Sequence, residues 1–126
     1  MIEQHYPEAE VRPEIAAVFA DITAVVLEKN ASYGNSGLNP ICIFDKDPDP
    51  EHGLNVRIDD KLKRIYCGHE FLGDNDLVDL IGYLSLKLVL SRLKARHEAD
   101  LALVAPAPEA PTPTRRARTR KGATKR

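Results

Sequence analysis

The sequence has no tryptophan, only two cysteines and few aromatic residues. Cys42 and Cys67 are too few for a disulfide scaffold or a cysteine-rich zinc site. The longest largely apolar segment, residues 77–93, is interrupted by charged side chains and is too short to span a bilayer. The N-terminal residues also lack the basic and apolar segments of a signal peptide. We therefore expect a soluble, cytoplasmic protein with a core of Leu, Ile, Val and Ala.

Charge is distributed unevenly along the chain. The 126 residues have a formal net charge of −1. Residues 110–126 contain seven basic and no acidic side chains, so the other 109 residues hold 11 basic and 19 acidic ones, a net charge of −8. Nucleic-acid binding needs concentrated positive charge. We therefore expect only weak nucleic-acid contact, made by residues 115–126.

The spacing of apolar residues predicts an all-α fold. Apolar side chains recur at helical intervals over residues 13–30, 54–67 and 74–100, which predicts three helices. The third is apolar around most of its circumference, which is typical of a helix that is central or lies in a subunit interface. We expect a small three- to four-helix bundle in residues 1–102 that forms a homo-oligomer.

Four residues mark the predicted helix boundaries. Pro13 suits a first helical turn, because its missing N–H has no intrahelical partner there. Gly68 suits the end of the second helix, and Asp74 and Asn75 are good caps for the third.

Two segments lack helical periodicity. Residues 31–53 hold three prolines and three glycines, which predicts a long loop after the first helix. Loops of this length in small domains are often functional. Residues 103–126 begin with a proline- and alanine-rich stretch and continue into the basic run, which predicts a disordered tail.

A first polar cluster lies at the end of the first helix and contains Lys29, Asn30, Tyr33 and Asn35. An ammonium, two amides and a hydroxyl beside a flexible turn suit a phosphate, a sugar or a base edge. The alternative is an ordinary helix C-terminus, where a cation interacts with the helix dipole.

A second cluster contains Arg57, Asp60, Lys61 and Arg64. These spacings place the four side chains near one face of a helix, where they can line a cleft together. The alternative is a solvated face with ordinary ion pairs.

A third cluster contains Asp76, Asp79 and Tyr83. Two carboxylates three residues apart can hold one divalent cation through oxygen ligands. Asp79 interrupts an otherwise apolar helix, and a buried carboxylate needs a cationic partner or a metal. The alternative for Asp76 is a favourable interaction with the positive end of the helix dipole.

The order and spacing of the three clusters resemble a family of small phage and bacterial proteins, the nucleotide modification associated domain, first type. The resemblance spans residues 14–93. It implies a helical protein associated with nucleotide or DNA modification, located in the host cytoplasm if it is phage-encoded. The residues that carry it are Lys29-Asn30-x-x-Tyr33-Gly34-Asn35, Arg57-x-x-Asp60-Lys61-x-x-Arg64-Ile65 and Asp76-x-x-Asp79-x-x-x-Tyr83.

The chain is more distantly similar to the MazG-like all-α nucleoside triphosphate pyrophosphohydrolases, which bind magnesium (Mg²⁺) with two acidic pairs on neighbouring helices. Asp76-x-x-Asp79 matches the second pair. The first pair is missing, because alanine stands three residues after both Glu14 and Glu28. The similarity implies a Mg²⁺ site and leaves open whether any bond of the ligand is broken.

The leading hypothesis is a protein that binds a nucleotide or nucleotide-like ligand between its helices. In it, Lys29, Lys61 and Arg64 contact phosphate. Asp60, Asp76 and Asp79 hold Mg²⁺ or a base edge. Two alternatives stay open. One is a non-enzymatic helical oligomer that acts as an accessory or inhibitor protein, and the other is a weak nucleic-acid binder that uses the basic tail.

Overall fold

The computed structural model describes residues 5–68, 72–104, 106 and 108–111. This part of the chain contains three helices and no strand: α1 (Glu8–Ser32), α2 (Pro50–Cys67) and α3 (Asp76–Val104). The all-α prediction is confirmed. The disordered tail was predicted to begin at residue 103, but Leu103 and Val104 belong to α3. The basic run at residues 115–126, for which nucleic-acid contact was predicted, lies outside the described residues.

Helix α1 begins five residues earlier than predicted, at Glu8, so Pro13 lies inside the helix. Pro7 is extended, and its carbonyl accepts hydrogen bonds from the N–H groups of Glu10 and Val11 at 2.9 and 3.1 Å. The constrained φ of proline is compatible with a helix. Pro13 removes one hydrogen bond close to the helix start, where the turn before it is held by the Pro7 carbonyl.

Helix α2 begins four residues earlier than predicted because Asp49 caps it. The Asp49 carboxylate accepts a hydrogen bond from the N–H of Glu51 at 3.1 Å, and Pro50 occupies the first helical position. The helix ends at Gly68 as predicted, in the left-handed conformation with φ of 72°. The Gly68 N–H donates to the Arg64 carbonyl at 3.0 Å.

Helix α3 has the predicted cap at Asn75, whose side-chain oxygen accepts a hydrogen bond from the N–H of Val78 at 3.1 Å. The helix runs to Val104, four residues beyond the predicted end. Within the described ranges, no helix combines the length and the hydropathy that crossing a membrane requires.

Helices α2 and α3 form an antiparallel hairpin around Leu54, which is fully buried. Lys87 and Lys94 of α3 reach back to the start of α2. Lys87 donates to the Asn55 side chain at 2.7 Å, and Lys94 lies 3.3 Å from the Glu51 carboxylate.

Helix α1 crosses α3 at Gly82, which is buried. A Cβ at this position would lie 3.2 Å from Cγ2 of Val26, so the absence of a side chain permits the close approach. The loop after α1 returns to α3 in the same way, since a Cβ on Gly37 would lie 3.1 Å from Cδ1 of Leu86. These two contacts place the end of α1 and the start of the loop beside α2 and α3.

Several apolar residues that the helical pattern placed in the core are exposed. They are Ile15, Val18 and Phe19 on α1 and Leu62 and Ile65 on α2. For α1, the physical reason for this exposure is that the helix meets α3 only near the Gly82 crossing. No other described helix packs against the rest of its apolar face. The homo-oligomer stays a prediction.

Gly82→Leu tests the crossing, with Gly53→Leu as the matched control. Overpacking a close helix contact costs about 1–3 kcal/mol, so we expect the free energy of unfolding of Gly82→Leu to fall by this amount. The space around a Cβ at Gly53 is open, so leucine there should leave stability unchanged or raise it slightly. Chemical denaturation measures both, and equal stability of the two variants would contradict the crossing.

Candidate functional site

A cavity of about 300 Å³ lies where the end of α1 and the following loop meet α2 and α3. All three predicted clusters contribute to it. Its apolar wall comes from Val25, Val26, Val78 and Leu86. The residues predicted from sequence that line it are Lys29, Asn30, Tyr33, Arg57, Lys61, Asp79 and Tyr83.

Helical spacing explains why these side chains converge. Val26 and Lys29 lie three residues apart on α1, so the apolar stripe that packs on α3 leads directly to the ammonium. Arg57 and Lys61 are four residues apart on α2, and Asp79 and Tyr83 are four apart on α3. Each helix therefore presents two neighbouring positions to one space.

Lys61 lies at the centre of an ion-pair cluster beside the cavity. Its Nζ is 2.9 Å from the Asp79 carboxylate, 3.2 Å from that of Asp76 and 3.7 Å from that of Asp74. Lys61 is 9% exposed and Asp76 is 1% exposed, so both charges are almost completely removed from water. Buried charges of this kind require partners.

Two further cations complete the cluster. Lys29 donates a hydrogen bond to Asp79, which ties α1 to α3. Arg64 lies 3.2 Å from the Asp74 carboxylate through Nη1 and 3.4 Å from that of Asp76 through Nε. Three cationic side chains therefore balance three carboxylates.

The pKa values of the central groups are shifted by these contacts. Burial alone would raise the pKa of Asp79, but hydrogen bonds from Lys29 and Lys61 outweigh it and lower the pKa. The hydrogen bond to Asp79 raises the pKa of Lys29. Burial acts to lower the pKa of Lys61, but its hydrogen bonds to Asp79 and Asp76 outweigh burial and raise the pKa. All three groups are charged at neutral pH.

The acidic residues form a partial match to a Mg²⁺ site. Asp74, Asp76 and Asp79 each bring a carboxylate oxygen within 4.8 Å of the others. The Lys61 ammonium already lies between these oxygens, in the position that a cation would take. Mg²⁺ requires oxygen ligands at about 2.0–2.1 Å. The cluster as arranged therefore does not fit the ion, which would bind only if Lys61 moved away, and the Mg²⁺ site stays a prediction.

Two buried atoms of the cluster, Oδ2 of Asp76 and Nη2 of Arg64, have no hydrogen-bond partner among the described residues. Asp76 and Arg64 lie behind the cavity and do not line it. Asp76 compensates the charge of Lys61, and Arg64 compensates the charge of Asp74. These pairs are largely buried, so they differ from the solvated face with ordinary ion pairs that was the alternative for the second cluster.

Two other residues predicted from sequence lie outside the cavity. Asp60 is exposed on α2 and does not face the space that Lys61 lines. Asn35 accepts a hydrogen bond from Nδ2 of Asn30 at 2.9 Å and therefore orients the Asn30 side chain. Asn35 itself adopts the left-handed conformation, with φ of 60°.

Besides the apolar wall and Gly82, three lining residues were missing from the sequence-based list of site residues. Asp74 was recognised only as a possible helix cap, yet it faces both Lys61 and Arg64. Ser36 and Gly37 belong to the long loop and line the cavity because the loop folds back onto α3. Ser36 directly follows Asn35 of the first cluster in the sequence, and the loop's length is a signal for Gly37.

Asp79→Asn tests the cluster through the dependence of stability on pH. Because folding lowers the pKa of Asp79, its ion pairs stabilise the fold fully above about pH 4, and this contribution is lost as the pH falls through the folded-state pKa. We expect the free energy of unfolding of Asp79→Asn to fall less steeply below about pH 4 than that of the unsubstituted protein. Asp60→Asn, an exposed control, should retain the original slope, and identical slopes for all three proteins would contradict the assignment.

Comparison with known proteins finds no matching family model, no similar curated protein and no similar solved structure.

Proposed function

We propose that the cavity binds a nucleotide or a nucleotide-derived small molecule. The observation that carries the proposal is that side chains from three separate sequence clusters line one cavity with complementary chemistry. Cationic, aromatic and amide groups face the space, and aliphatic side chains form its wall. Small-molecule sites typically combine an apolar lining with a few convergent polar groups.

In this proposal, Lys29 and Arg57 contact the phosphate. Arg57 is exposed and can reach an anion at the cavity mouth. Lys29 pairs with Asp79, but its side chain is about half exposed, so its ammonium can contact an anion while it keeps that pair. Lys61 and Arg64, which the sequence also suggested as phosphate ligands, are engaged by buried carboxylates. Lys61 is therefore a positioning residue that holds Asp79 in place.

In this proposal, the aromatic and amide side chains of the cavity contact the base or the sugar. The Tyr83 ring lies beneath the Arg57 guanidinium, whose Cζ is 6.0 Å from the ring centroid. Tyr33 lines the same cavity, so two aromatic side chains are available for contact with a base. The Asn30 amide can donate to and accept from a base edge.

The proposal is a binding function, with a link to nucleotide or DNA modification that rests on the family resemblance. The carboxylates at the cavity, Asp74 and Asp79, are both paired with cations. We therefore assign no bond-breaking step to them.

A thermal-shift screen tests the proposal. The panel contains the common nucleosides and their mono-, di- and triphosphates, each with and without Mg²⁺. A ligand that binds only the folded state at 100 times its Kd adds about 2.7 kcal/mol of stability. We expect nucleotides to raise the melting temperature more than the parent nucleosides, because phosphate meets Lys29 and Arg57.

Three outcomes of the screen distinguish the possibilities. A panel in which no compound changes the melting temperature would contradict the proposal. A shift that requires Mg²⁺ would show that the ion binds together with the ligand, through the phosphates or the acidic cluster. A shift that is equal without Mg²⁺ would show that the ion pairs seen in the structure suffice.

A further inference from the structure

We propose that two copies of this chain associate through the N-terminal half of α1 and the apolar stripe of α3. Each copy then covers the exposed apolar side chains of the other. The partner also supports α1, which forms one wall of the cavity. The inference rests on exposure and charge, and it is independent of the ligand.

The apolar face of α1 becomes exposed as the helix leaves its crossing with α3. Ile22, one turn before Val26, is 7% exposed, whereas Phe19 is 60% exposed. Val11, Ile15 and Val18 continue the same stripe at intervals of four and three residues and are also exposed. This interval pattern is that of a helix seam packed against another helix.

Helix α3 carries a second exposed stripe with the same pattern. Leu77, Ile81, Leu84 and Leu88 follow one another at intervals of four, three and four residues. Leu88 is 67% exposed and Leu77 is 61% exposed. The two stripes are of the kind that two-chain helical interfaces bury, with about 800 Å² covered on each partner.

The remainder of the chain cannot cover both stripes. The residues outside the described part, 1–4, 69–71, 105, 107 and 112–126, include only three large apolar side chains, Met1, Ile2 and Phe71. Monomeric proteins rarely expose contiguous apolar patches larger than a few hundred Å². In this inference, the cover comes from another chain.

Charge identifies a second copy as that chain. Beside the α1 stripe lie Glu10, Glu14 and Asp21, and α3 beyond its stripe carries Arg92 and Arg96. These five side chains are exposed, and no ion pair joins any of them to another described residue. A two-fold axis lets the acidic side chains of α1 in each copy lie against the Arg92 and Arg96 side chains of α3 in the other. One chain therefore supplies both complementary surfaces.

Sedimentation equilibrium of the full chain without ligand tests the inference. We expect a mass of twice 14.0 kDa at micromolar concentrations. Leu88→Asp and Phe19→Asp should each give a monomer, because each places a charge in the apolar contact. Phe44→Asp is the matched control, since Phe44 is 97% exposed but lies on the loop, away from both helices; it should remain a dimer.

A charge variant keeps the test valid if an apolar variant unfolds. Arg92→Glu combined with Arg96→Glu alters only exposed side chains, so circular dichroism should show an unchanged fold. The dimer Kd should rise at least tenfold. The inference would be overturned if the unsubstituted protein were monomeric at about 100 μM or formed an assembly larger than a dimer. It would also be overturned by an unchanged Kd in the charge variant, or by equal dissociation of Phe44→Asp and Leu88→Asp.

Discussion

Asp76→Ala is expected to lower the free energy of unfolding by about 3–5 kcal/mol, the range observed when one partner of a buried ion pair is removed. The Asp76 side chain is 1% exposed and contacts both Lys61 and Arg64. Its loss leaves Lys61 buried with less compensating charge. Since a domain of this size has only about 5–15 kcal/mol of stability, the variant should be close to unfolding at room temperature.

Chemical denaturation measures this loss, with Asp60→Ala as the control. Asp60 is an exposed carboxylate on α2 outside the cluster, so its removal should change stability by no more than about 0.5 kcal/mol. Equal effects of the two substitutions would show that the buried cluster does not hold the helices together.

Arg57→Ala is expected to weaken nucleotide binding by at least about tenfold while leaving the fold intact. A hydrogen bond to a charged group contributes about 1.5–3 kcal/mol, and each 1.4 kcal/mol corresponds to a factor of about ten in Kd. Arg57 is exposed and makes no ion pair with another described residue, so its removal should leave the melting temperature of the free protein nearly unchanged. Isothermal titration calorimetry with the best nucleotide from the screen measures the change.

Lys63→Ala provides the matched control for this substitution. Lys63 is a cation on the same helix and lies 5.5 Å from the centroid of another tyrosine ring, that of Tyr66, but it does not line the cavity. The Lys63→Ala variant should bind the nucleotide with unchanged affinity. A similar loss in both variants would mean that the overall charge of α2, and not the cavity, attracts the ligand.

The helices could be predicted from sequence because their apolar spacing, Gly68 and Asn75 act locally. The start of α2 was predicted four residues too late, although Asp49 followed by Pro50 is the local pattern of a cap and a first helical residue. The start of α1 was missed because no local pattern specifies it. Pro13 is typical of a first turn, and its toleration in the second turn depends on the hydrogen bonds made by Pro7.

The candidate site was predicted less completely because its charges are distributed by tertiary contacts. Spacing along α2 placed Asp60 and Lys61 near one face, but only Lys61 is directed towards α3. The pairing of Lys29 with Asp79 joins positions 50 residues apart, a contact that no local pattern specifies. The cationic partners that a buried Asp79 was expected to need are Lys29 and Lys61 in the structure.

The most direct test of the proposed function is the location of the bound nucleotide. We would titrate the nucleotide that gives the largest thermal shift into ¹⁵N-labelled full-length protein and follow the backbone amide signals by NMR. We expect the largest changes at Asn30, Tyr33 and Tyr83, with little change at Asp60. Changes confined to residues 112–126, or spread evenly over the chain, would contradict binding in the cavity.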